Sequence, residues 1–247
     1  MKTIHGNKLG AVMEMKLKAL FSKNFIIMPL FAVGFTFVMK LVYGAAAQDG
    51  INDMLKAMAL SYGALMSITM TGIYCVSAAL AEEKEKHTLR VLMTSSVNGL
   101  EFFLGSLIPV VGMILVTNVI IVPVAGVSMN GTEWAVYLGI SSLAAVTSAV
   151  IGMIFGIFAK NQVTASTVTT PALLIFMMVP MFSSLNKTME KIAEFLFTGV
   201  MQQTVLKIAE KNAQLVSAAS IVVMVVEILA AVICFLLIYQ KNGYDAD

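Results

Sequence analysis

The chain has 247 residues, of which 59% are hydrophobic and only 12% charged, with a formal net charge of +2. Soluble domains carry about 25% charged residues, so a soluble fold is excluded, and a mean hydropathy of +0.89 describes an integral membrane protein. Nothing in so small a net charge suggests a nucleic-acid partner.

Residues 1–24 come first. Leu9, Val12, Met13, Leu17, Leu20 and Phe21 recur at helical spacing, while Lys8, Glu14, Lys16 and Lys18 fill most other positions. This pattern predicts a helix lying in the membrane interface, its apolar face in the acyl boundary and its lysines at the headgroups. Such a helix is either an anchor for the first span or a mechanical elbow that moves with a cytoplasmic partner. The segment is basic and lacks the short apolar core of a cleaved leader, so the first span is expected to act as an uncleaved insertion signal.

Six apolar runs follow, at 25–46, 57–80, 102–124, 134–159, 163–182 and 215–239. Each is long enough to cross a hydrocarbon core of about 30 Å, which takes roughly 20 helical residues. Lys2, Lys8, Lys16, Lys18 and Lys23 precede the first run, Lys84, Lys86 and Arg90 follow the second, Lys160 follows the fourth, and Lys241 follows the sixth. All fall on one side of an even-span topology, so the positive-inside rule places both termini in the cytoplasm. Lys187, Lys191, Lys207 and Lys211 lie on the other side, interleaved with Glu190, Glu194 and Glu210.

Within the first run, Lys40 stands near the outer surface and is expected to snorkel. In the second, Met58, Met66 and Met70 offer an adaptable apolar wall. The loop at 81–101 then holds a dense charged run, 82–93. On a helix, Leu89, Leu92 and Met93 share one face and Glu82, Glu83, Lys84, Glu85, Lys86 and Arg90 crowd the rest. Residues 94–99 are turn formers, and Asn98 precedes Glu101 at capping-box spacing. Topology alone needs Lys and Arg, so the acids here point to contact with a soluble body.

Ser148, Gly152 and Gly156 form a small-xxx-small row in the fourth run, suited to close packing within the subunit or across a subunit interface. The fifth opens with Thr164, Ser166, Thr167, Thr169 and Thr170 before Pro171. Thr164, Thr167 and Thr170 share a face, to serve either packing or substrate. Between the fifth and sixth runs, at 183–214, Ile192, Phe195 and Leu196, then Met201, Val205 and Ile208, follow amphipathic spacing. They predict two short helices on or in the outer leaflet, divided at Gly199. Glu227 lies mid-way along the sixth run, where an ionisable group costs roughly 2.5–3.5 kcal/mol and marks a candidate site. It can bind a cationic substrate, carry a proton, or sit bonded to a neighbour.

The sequence encodes no Gly-x-x-x-x-Gly-Lys-Ser/Thr phosphate loop. His5 and His87 are its only histidines, Cys75 and Cys234 its only cysteines. The cysteines read as small packing residues, and neither a catalytic residue nor a metal site is expected.

The charged loop, taken with the spans around it, resembles that of ABC-2 type transporter permeases. Glu82, Glu83 and Glu85, then Thr88-Leu89, Leu92-Met93, Ser95-Ser96-Val97, Glu101 and Leu104-Gly105 carry the likeness. His87 stands where Gly is usual, Arg90 where an acid is common, Ser96 where Pro is common and Ser106 where Lys is common. The likeness extends over the chain and implies an all-α, polytopic, single transmembrane domain, 1–247. It would comprise an interfacial helix (1–24), six spans, a cytoplasmic coupling-helix loop (81–101) and an outer re-entrant helical pair (183–214).

It further implies that Glu82, Glu83, Glu85, His87, Thr88, Leu89, Arg90, Leu92 and Met93 contact a soluble ATPase subunit. That subunit, present in two copies, would hold the ATP and Mg. A second permease copy, identical or homologous, would complete the unit in the lipid of a bacterial plasma membrane. In the family the first, second and fifth spans surround the path, which makes Met66, Met70, Thr164, Thr167 and Thr170 candidate path residues, and Glu227 joins them as an ionisable group inside the sixth run. The expected function is export of an apolar or amphipathic substrate, such as a hydrophobic peptide, antimicrobial or lipid-like compound. A sugar path usually needs aromatic platforms, and Trp134 is the only tryptophan. The alternative is a proton-coupled secondary transporter using Glu227.

Overall fold

The computed structural model describes residues 5–47, 50–86 and 99–242, and all regular structure among them is helical. The elements are α1 (Gly6–Leu20), α2 (Lys23–Ala46), α3 (Asp53–Met66), a π-helical segment (Ser67–Cys75), α4 (Val76–Glu85), α5 (Gly99–Ala125), α6 (Gly131–Phe158), α7 (Gln162–Met181), α8 (Lys187–Ala193), α9 (Phe197–Ala209) and α10 (Ala218–Asn242). Six helices among the described residues are long and apolar enough to cross a membrane, α3 to α4 forming one run of 33 residues.

Asparagines set four of the starts. The side chains of Asn52, Asn130, Asn161 and Asn186 accept N–H bonds at the first turns of α3, α6, α7 and α8. They satisfy amides that have no partner inside the helix. At α6 the Glu133 side chain reaches back to the Asn130 amide and completes a capping box. At the far end of α5, Gly126 takes φ +80°, and Val127 donates to the Val122 carbonyl at 3.3 Å. This is a glycine-terminated turn.

The second span occupies the centre. Its most apolar window is 83% buried, against 22% for α2 and 17% for α10, and it packs against α2, α5, α6, α7 and α9. Its middle is the π segment, a feature that periodicity did not reveal. The small row of α6 packs within the subunit, against this span. A Cβ at Gly72 would meet Ser148 Oγ at 2.0 Å, one at Gly152 would meet the Gly72 carbonyl at 2.4 Å and Val76 Cβ at 2.9 Å, and one at Gly156 would meet Leu80 Cβ at 2.9 Å. The two helices therefore run side by side in one direction, advancing a turn at a time in step, and only missing side chains let them come so close.

Several expectations need correcting. The buried stripe of α1 is Val12, Lys16 and Leu20, so Lys16 sits in the packed face, while Leu17 and Phe21 are exposed. Glu82 to Glu85 form the last turn of α4 and continue the second span as a helix. Gly199 does not divide the re-entrant pair: the break is at 194–196 and Gly199 lies in α9, where a Cβ would fall 1.9 Å from the Ala193 carbonyl. The glycine permits that close approach. Lys40 does not simply snorkel, since its ammonium donates to the Val124 carbonyl at 3.0 Å and so caps α5. Cys75 is buried as expected, but Cys234 is exposed.

Candidate functional site

The end of the bundle that carries α1 also carries both flanks of segment 87–98. Three successive side chains at the end of α4 reach three neighbours. Glu82 accepts a bond from Gln162 Nε2, in the first residue of α7, at 2.7 Å. Glu83 receives the Lys16 ammonium on both oxygens, at 2.6 and 2.7 Å. Lys84 donates to the carbonyls of Gly156 (3.0 Å), Ala159 (3.4 Å) and Ile157 at the end of α6. Helical geometry sends consecutive side chains about 100° apart, so one turn can serve three partners.

The Lys16–Glu83 pair is enclosed, with side-chain exposures of 8% and 14%. The Lys16 ammonium also stands 4.7 Å from the centre of the Phe102 ring, in α5, a cation–π placement. Beyond it, fully buried Glu101 accepts the His5 backbone N–H at 2.8 Å, and His5 Nδ1 lies 3.4 Å from the same carboxylate. Between these contacts α1 lies tight on α5, because a Cβ at Gly105 would meet Val12 Cγ1 at 2.6 Å. A single amphipathic helix thus grips the residues before and after 87–98.

Glu85 and Lys86 are the exposed residues of this turn. The hydrogen bond from Lys86 to Glu82, reinforced by the charge of Glu82, holds its ammonium above the usual lysine value. His87, Thr88, Leu89, Arg90, Leu92 and Met93 lie outside the described residues, as does Asn98.

The candidate path residues are dispersed. Met66 is buried and Met70 half-buried in the central span. The Thr164 hydroxyl bonds Asn161 Oδ1 at 2.9 Å. Thr167 and Thr170 are exposed, their hydroxyls satisfied on the Val163 and Ser166 carbonyls. This is local back-bonding. Glu227 is half-buried, its carboxylate beside the Phe197 backbone amide at the start of α9, and its Oε2 is buried with no hydrogen-bond partner among the described residues. Leu196, the residue capping that helix, provides no side-chain bond. The Phe197 ring lies 4.9 Å from that of Phe176 in α7, so Phe197 joins the fifth and sixth spans.

Sequence reasoning missed Lys16, Lys84, His5 and Gln162 as parts of this site. For Lys16 a signal was present, since it stands between Val12 and Leu20 on one helical row. For Lys84 and Gln162 none was, since their partners are defined only by the fold.

Comparison with protein families matches residues 45–239 to the family described as ABC-2 family transporter protein. The chain belongs to the ABC-2 transporter family. It is therefore a permease subunit of an ABC transporter, a multi-pass membrane protein that works with an ATP-binding cassette partner. The match takes in every span after the first, together with α8, α9 and both flanks of 87–98. Among curated proteins, no match is found.

Proposed function

We propose that this permease exports an apolar or amphipathic substrate, such as a hydrophobic peptide, antimicrobial or lipid-like compound, from the cytoplasm or inner leaflet. ATP hydrolysis on a separate subunit powers the step. Two copies of that ATPase, each holding ATP and Mg, serve two permease copies, identical or homologous, with both termini in the cytoplasm of a bacterial cell. The run 82–93 is the docking element. The observation that carries this reading is the grip of α1 on both flanks of 87–98, through Lys16–Glu83 and His5–Glu101. A loop that only joined two spans would need no such bracing, whereas one that receives force must not yield at its ends.

The geometry also divides the labour within the run. Glu82 and Glu83 brace the turn from inside, Glu85 faces outward, and Leu89, Leu92 and Met93 would supply the apolar stripe. Thr167 and Thr170 give the fifth span a polar edge beside the path, and half-buried Met70 supplies the apolar wall, with Met66 buried in the same span.

Affinity purification of the full chain from its native membrane tests this. A soluble ATPase is expected to accompany it in stoichiometric amount, and deletion of 89–93 should release the ATPase while leaving the permease in the membrane. Purification without any ATPase, with proton-driven transport by the chain alone, would overturn the reading in favour of the secondary transporter.

A further inference from the structure

Lys84 closes the end of α6 from another helix. The last carbonyls of any helix lack partners within it, and its C-terminus carries partial negative charge. Here an ammonium with three donors meets three carbonyls, those of Gly156, Ile157 and Ala159. The contact completes the series of close approaches between the second and fourth spans at Gly72–Ser148, Val76–Gly152 and Leu80–Gly156. Two positions earlier, Glu82 holds Gln162. The turn 159–161 between α6 and α7 is thereby fastened from both sides to the last turn of α4, which leads into 87–98.

We infer that Lys84 is a positioning residue for energy coupling: it makes the end of the second span and the turn between the fourth and fifth spans move as one body. The inference rests on the reading that 82–93 docks the ATPase. Any displacement delivered to 82–93 passes through Lys84 to α6, and through Glu82 to α7, without first travelling along the membrane helices. Glycines at the interface leave little side-chain matter to absorb the displacement, and the ammonium prevents the last turn of α6 from fraying.

Spin-label distances in the complex in lipid nanodiscs test this. Labels replace Lys86 and Phe158, both exposed, with a third on exposed Leu237 of α10 as reference. In the wild type and in Lys84→Arg, the 86–158 distance should be single and narrow. It should stay unchanged between nucleotide-free and ATP–vanadate states, while both labels shift together against 237. In Lys84→Met, which keeps the aliphatic stem, the 86–158 distribution should broaden at least twofold and nucleotide should move 86 without 158. Lys40→Met, which removes a similar cap at the opposite end, should behave as wild type. A nucleotide-dependent 86–158 distance in the wild type, or a Lys84→Met distribution equal to it, overturns the inference. Should Lys84→Met not assemble, the wild-type distances and Lys84→Gln decide. If no ATPase is bound, the docking reading fails, but the nucleotide-free comparison of Lys84→Met with wild type still decides the role of Lys84.

Discussion

Lys16 and Glu83 stand 67 positions apart in sequence and meet through two contacts of 2.6 and 2.7 Å. The pair joins an interfacial helix to the end of the central span, and the Phe102 ring covers it from α5. Three elements are tied at one ammonium.

Breaking a buried pair by removing one partner costs about 3–5 kcal/mol, because the other charge stays behind uncompensated. The Lys16–Glu83 pair keeps some access to solvent, so Lys16→Met is expected to destabilise the docking of α1 by about 2 kcal/mol. The exchange Lys16→Glu with Glu83→Lys should recover at least half of that. Thermal unfolding in detergent of the wild type, Lys16→Glu, Glu83→Lys and the exchanged double variant, treated as a double-mutant cycle, measures the coupling. Strictly additive effects would remove the pair from the account.

The close contact between the second and fourth spans is testable by one methyl group. Gly152→Ala puts a Cβ where the nearest atom is a backbone carbonyl at 2.4 Å, and backbone cannot rotate aside. Overpacking of this kind costs about 1–3 kcal/mol. Gly112→Ala meets nothing within 4 Å and should be neutral or slightly stabilising, since Gly is about 1 kcal/mol poorer than Ala in a helix. Midpoints of thermal unfolding compare the two.

The spans were legible because a continuous apolar run has few other solutions. Composition decides it without knowledge of any neighbour, and the small row Ser148, Gly152, Gly156 announced a close helix without naming it. What the sequence hid is whatever depends on a distant partner. Lys16 reads as a headgroup lysine until Glu83 stands opposite, Lys84 reads as a topology charge until α6 ends beside it, and Gly199 reads as a breaker until Ala193 folds back against it. The π segment leaves no trace in apolar spacing, because a helix apolar on every side has no stripe to slip.

At Glu227 two chemistries separate cleanly. Glu227→Gln keeps a polar side chain beside the Phe197 amide, whereas Glu227→Leu removes it, at a cost of about 1–3 kcal/mol. For an ATP-driven permease, Gln should transport at close to the wild-type rate and Leu should lose stability. Complete loss of transport in a stably folded Glu227→Gln would point to proton coupling instead.

Lys40 offers the matching experiment at the other end of the bundle. Lys40→Met removes the donor to Val124 and should lower stability by about 0.3–1 kcal/mol, rising to about 2 where the cation at the helix C-terminus is partly buried. Lys40→Arg should restore most of it. ATP turnover per complex should be the same in all three, because this cap lies at the far end from 82–93.

The central span is also long. Its 33 residues, Asp53–Glu85, would reach about 45–50 Å at the rise of an α-helix, against about 30 Å of hydrocarbon. Several turns therefore stand clear of the bilayer, and the π segment, Ser67–Cys75, falls at the mid-point. The Glu85 end of the span is tied to α1, α6 and α7, so a tilt of about 10° about the mid-point, which would swing Glu85 by about 4 Å at that rise per residue, has to carry those neighbours with it. Movements on the scale of one side chain at that end correspond to small rotations inside the membrane, shared by every helix fastened there.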